Sequence, residues 1–65
     1  MGKVTLDVSH WDCNDGRRVY DLILTKDGET QLRLECHSLG FAEGLAEEMG
    51  KLIRSCTTET VEVCK

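Results

Sequence analysis

Hydrophobic and polar positions change period along this chain, and the changes mark its elements. From Lys3 to Asp12 they alternate strictly, with Val4, Leu6, Val8 and His10 on one side and Thr5, Asp7, Ser9 and Trp11 on the other, which is the period of a strand. Arg17 to Thr25, Glu29 to about His37, and Thr58 to Cys64 alternate in the same way, the last turning Val61 and Val63 inward. Gly40 to Cys56 switches to a helical period. Phe41, Leu45, Met49, Leu52, Ile53 and Cys56 fall on one stripe, widened by Ala42 and Ala46, so one side of a single helix needs an apolar surface to cover. The order βββαβ predicts a two-layer α+β fold, one helix packed on a four-stranded mixed sheet, with residues 1–65 forming a single domain.

The turns set the pairing. Asn14-Asp15-Gly16 reads as a three-residue hairpin loop, with Gly16 in the left-handed conformation that completes a type I turn and G1 bulge. Lys26-Asp27-Gly28 reads the same way. A two-residue Asp27-Gly28 turn would set Leu22 beside Arg33. The three-residue loop instead places Leu22 opposite Leu32, Tyr20 opposite Leu34 and Asp21 opposite Arg33, keeping apolar with apolar. In the first hairpin the same rule pairs Val8 with Leu22, Leu6 with Leu24 and His10 with Tyr20. Both hairpins then share one inner face: Val4, Leu6, Val8, His10, Tyr20, Leu22, Leu24, Leu32, Leu34 and Cys36.

Ser38 or Gly40 caps the helix, with Glu43 in the first turn and Lys51 and Arg54 toward the other end, where the helix dipole favours each sign. Gly44 and Gly50 each cost a helix interior about 1 kcal/mol relative to Ala. A right-handed crossover makes strand four parallel to strands one and three and places it beside strand one. Edge patterning is similar on both sides, so the orders 3-2-1-4 and 1-2-3-4 both remain open.

Composition narrows the function classes. With 65 residues, 40% hydrophobic, and no proline, the chain is apolar enough to fold but has only a thin core. A net charge of −4, with Arg17-Arg18 as the one basic pair, argues against a nucleic-acid partner. No apolar run approaches the roughly 18 residues needed to span a bilayer, and the N-terminus is a strand pattern without a signal-peptide core. Gly2 is followed by Leu6 where a myristoylation signal needs Ser or Thr. The expectation is a cytoplasmic protein with no membrane association.

The outer sheet face carries Trp11 opposite Val19, with Ile23 and Arg33 nearby, and has no second layer to cover it. An exposed Trp beside β-branched residues is the kind of anchor that protein interfaces use. Strand three is also an edge with no proline to blunt it, which makes homodimer formation by edge pairing a further expectation. The rival constellation is cysteine. The spacings of Cys13, Cys36, Cys56 and Cys64 match no zinc pattern, but strand topology suggests that Cys13, Cys36, Cys64 and His10 reach one end of the sheet, where they could form a small metal-binding or thiol redox module, or where Cys13 and Cys64 could pair as a disulfide. Cys56 lies at the far end of the helix. Free thiols acting as small hydrophobes are the plainer reading, and no cofactor is expected. A catalytic pair drawn from Cys36 or Cys13 with His10 or His37 would need a pocket that a module this small hardly offers, so no enzyme is expected. Glu43, Glu47 and Glu48 read as a solvated helix face.

At the junction of strand three and the helix stands Cys36-His37-Ser38-Leu39-Gly40, followed by Glu43 and a helix closing on Met49 and Ile53. With the βββαβ order, this stretch resembles the C-H-S-x-G segment of HicB-type antitoxin N-terminal domains, which have a partial RNase H-like fold. The resemblance spans about Val4 to Ile53. It departs from the family in lacking the proline-bearing loop before that segment and any C-terminal DNA-binding segment. It implies a small protein that neutralises a partner by binding it, and assigns no contact residues. The expected function is a non-enzymatic, acidic protein-binding module, antitoxin-like or a phage-type inhibitor, with Trp11, Val19, Ile23 and Arg33 at its partner surface.

Overall fold

A computed structural model describes residues 2–64. The elements run β1 (Lys3–Asp12), β2 (Arg18–Lys26), β3 (Glu29–Cys36), α1 (Leu39–Cys56) and β4 (Thr60–Cys64). They form a four-stranded sheet in the order β3-β2-β1-β4, with β4 parallel to β1 and the other neighbours antiparallel. The helix therefore connects the two edge strands, crossing one face of the sheet from β3 to β4.

The first hairpin forms as its sequence dictates. Leu6 faces Leu24, Val8 faces Leu22, His10 faces Tyr20 and Trp11 faces Val19. Gly16 closes the loop at φ 89°, its N–H donating to the Cys13 carbonyl at 3.1 Å. The second hairpin differs from expectation. Asp27 (φ 52°) and Gly28 (φ 86°) are both left-handed, and Lys26 pairs with Glu29, so the turn is the two-residue type I′ form. Parity is restored one step later: Thr25 faces Thr30 but Leu24 faces Leu32, leaving Gln31 as an extra residue in a bulge. Each expected partner on β3 is therefore displaced by two residues. Leu22 meets Leu34, Tyr20 meets Cys36, and Arg33 lies opposite Ile23 rather than Asp21. Facing is unchanged, because a shift of two preserves the side of the sheet.

Leu6, Leu22, Cys36, Ala42 and Ala46 are the buried centre, all at most 2% exposed. Cys36 is thus a small core hydrophobe. The helix docks along a line of small residues, Ala42, Ala46 and Gly50, rather than along the bulky stripe. A Cβ on Gly50 would stand 2.7 Å from Val63 Cγ2, so the missing methyl lets the helix approach β4 closely. Phe41 (63% exposed) and Leu52 (66%) are left outside, as is Cys56. Arg54 Nη2 donates to the Val61 carbonyl at 3.3 Å, which ties that flank of the helix to β4, a flank that helical spacing keeps away from Phe41 and Leu52. On β3, Leu32 remains 38% exposed. His10, placed on the inner face by alternation, projects beyond the helix's reach and is exposed; its ring meets Tyr20 at 6.3 Å between centroids instead of forming a hydrogen bond.

Ser38 is the N-cap, its Oγ accepting from the Phe41 N–H at 3.2 Å. Glu43 falls beyond the first turn, which holds no acidic residue, and Arg54 is the basic residue of the last. After the helix the Thr57 hydroxyl accepts from the Glu59 N–H at 3.1 Å, a local turn that delays β4 to Thr60. Among the described residues no helix is long and apolar enough to cross a membrane.

Candidate functional site

The outer face of β1, β2 and β3 is the surface without a covering layer. Trp11 is 45% exposed there, while Val19 and Ile23 are half-buried. These three and Arg33 share the face, as alternation requires. Val19 lies across from Trp11, and Ile23 sits between Asp7 on β1 and Arg33 on β3. Val19 and Ile23 are four residue steps apart along β2, a span of about 13 Å. Asp21 stands midway between them.

That aspartate is the residue the pattern of the chain did not single out. It is 3% exposed and is the buried charged residue of the described chain. Its register neighbours are Ser9 and Glu35, and Arg33 Nε approaches its Oδ2 at 3.4 Å. Its Oδ1 is buried with no hydrogen-bond partner. A carboxylate between two apolar residues on a central strand is an unusual placement, and that alternation, Val19-Asp21-Ile23, was the available signal.

Two depressions meet at Trp11. One of about 450 Å³ includes Ser9, Asp21, Arg33 and Glu35; the other, about 380 Å³, includes Cys13, Arg18, Cys36 and His37. A third depression, about 730 Å³, lies at the opposite end, lined by Gly2, Lys3, Thr58, Glu59, Thr60 and Glu62, and contains no aromatic side chain.

Charges around the first loop are internally matched. Arg18 Nε meets Asp12 Oδ1 at 2.8 Å and Arg17 Nε meets Asp15 Oδ2 at 2.8 Å, so the basic pair presents no surplus positive patch. The Arg18 hydrogen bond, reinforced by its charge, holds the Asp12 carboxyl below the usual carboxylate range. Glu62 in turn pushes Lys3 upward by hydrogen bonding and charge.

The cysteine constellation does not assemble. Cys64 pairs with Asp7, because β4 spans only Lys3 to Asp7 of its neighbour while β1 runs on to Asp12. Six residue steps, about 20 Å of extended chain, therefore separate Asp7, the position beside Cys64, from Cys13. Among the described residues no three His, Cys, Asp or Glu side chains converge as a metal site, so the set Cys13, Cys36, Cys64 and His10 is corrected by the short β4. All four thiols are free. The Asp7 carboxylate, through its hydrogen bond and then burial and charge, pushes the Cys64 thiol up, which disfavours the reactive thiolate.

Fold and face together define a small two-layer α+β module with an uncovered, aromatic-anchored sheet face. No protein-family model, curated protein or solved structure matches the chain.

Proposed function

We propose that this protein is a non-enzymatic protein-binding module, antitoxin-like in the sense of the HicB resemblance or an inhibitor of the phage type, that captures its partner on the outer sheet face. The observation that carries the reading is Trp11, 45% exposed on a face with no second layer, beside half-buried Val19 and with half-buried Ile23 farther along the same face. Large aromatic side chains at the centre of a patch supply most of the energy of protein interfaces. Cytoplasmic location belongs to the same proposal, supported by four free thiols.

The β3 edge supports self-association as well. A two-fold antiparallel pairing of β3 with a second copy, centred on Leu34, would set Arg33 opposite Glu35 of that copy, and the reverse, giving two opposite-charge cross-strand pairs.

Affinity capture with the wild-type chain and Trp11→Ala, each checked by thermal melting, tests the proposal. Loss of a stoichiometric partner from Trp11→Ala with an unchanged melting temperature is the expected result. Equal recovery of that partner by both proteins would sink the reading.

A further inference from the structure

We infer that the depression between Trp11 and Arg33 is a receptor for an arginine side chain of the protein partner. The inference rests on the outer-face reading and names the chemistry that face recognises. Buried polar atoms in folded proteins nearly always have a partner, and Asp21, a residue of this depression, has an Oδ1 that is buried without one. Its second oxygen faces Arg33 Nε at 3.4 Å, so the internal pair leaves half of the carboxylate unused. A guanidinium entering beside Arg33 would supply donors for Oδ1 and for Glu35, which stands opposite Asp21 in register.

Charge and shape agree with that ligand. Asp21 and Glu35 against Arg33 leave one surplus negative charge in the depression, within a chain of net charge −4. Trp11 forms one wall, and an indole is the best aromatic face for a cation. Oδ1 is buried, so a ligand reaches it only when side chains lining the depression move, and Arg33 (side chain 66% exposed) and Trp11 (45% exposed) have the room to do so. A metal ion is the poorer occupant: His10 also lines the depression, but among the described residues no three His, Cys, Asp or Glu side chains are placed to hold one, and the Arg33 cation already sits against the carboxylate.

The test is an NMR titration of the full chain with N-acetyl-arginine amide, and with N-acetyl-citrulline amide as the neutral isostere. Saturable shifts are expected at the Trp11 indole N–H and the amides of Ser9, Asp21 and Glu35, with citrulline inert. Asp21→Asn should weaken binding about tenfold, the loss of one charge-assisted hydrogen bond. Should that variant lose its fold, Glu35→Gln at an exposed position carries the same comparison. Equal shifts from citrulline, shifts spread over Glu43 and Glu48 in proportion to charge, or an Asp21→Asn protein that binds as the wild type does would each overturn the inference. Trp11-dependent partner capture without arginine binding would refute it and leave the outer-face reading standing.

Discussion

Two helical glycines should respond to alanine with opposite signs. Gly44 is exposed and has nothing within 4 Å of an added Cβ, so Gly44→Ala gains only the helix propensity of alanine, about 0.8–1 kcal/mol. For a domain of this size that raises the melting temperature by about 4–8 °C. Gly50→Ala gains the same propensity but drives its methyl to 2.7 Å from Val63 Cγ2 and 3.7 Å from Leu6 Cδ1. Val63 is β-branched and cannot swing away as a flexible chain end would, and Leu6 is fully buried, so the helix must lift from β4. Overpacking of this kind costs about 1–3 kcal/mol, leaving a net change between about zero and a loss of 2 kcal/mol. Urea denaturation of the single variants and of Gly50→Ala/Val63→Ala separates the terms. Removing the valine methyls should recover part of the Gly50→Ala penalty, a coupling that independent sites would not show. Stabilisation by Gly50→Ala equal to that from Gly44→Ala would refute the close helix–β4 approach.

Asp27→Val should cost about 1–3 kcal/mol in urea denaturation, because it places a β-branched residue at φ 52° and deletes the acceptor of the Lys3 N–H, whereas Asp27→Asn should stay near wild type. The Asp12 carboxyl is lowered by Arg18, so its contribution to stability is complete above the unfolded carboxylate value and is lost as pH falls through the lower folded one; Asp12→Asn should flatten that acid limb. Lys3, raised by Glu62, contributes fully below the unfolded lysine value and loses that contribution as pH rises through the raised one, so Glu62→Gln should flatten the alkaline limb of the same stability profile. Iodoacetamide should label Cys64 more slowly than Cys56 although both are exposed, and Asp7→Asn should accelerate Cys64, as read by mass spectrometry of the labelled protein.

Strand period and turn chemistry specified β1, the first hairpin and both faces of the sheet, because alternation in two is a strong constraint wherever one face is buried. The same constraint is blind to a shift of two. A bulge at Gln31 lets a two-residue turn serve where a three-residue loop was expected, and the faces of Leu32, Leu34 and Cys36 come out identical either way. The helix stripe misled for a different reason. Hydrophobicity marks Phe41 and Leu52, but the distance between helix and sheet is set by the smallest side chains, and Ala42, Ala46 and Gly50 allow the closest approach. Cys64 was placed at the wrong end because alternation from Thr58 to Cys64 carries no information about which part of β1 it pairs with. Of the site, Trp11, Val19, Ile23 and Arg33 were assigned to their common face by parity alone. Asp21 falls on that face too, but its burial and its orphaned oxygen depend on side-chain packing, which alternation does not encode.

The most direct test of the outer-face account is site-specific photocrosslinking. A photoreactive phenylalanine analogue replaces Trp11, Ile23, Leu52 or Glu48 in turn, and each protein is irradiated with the partner it captures. The account predicts adducts from positions 11 and 23 and none from positions 52 and 48. Adducts confined to positions 52 and 48 would move the interface to the helix flank and contradict it.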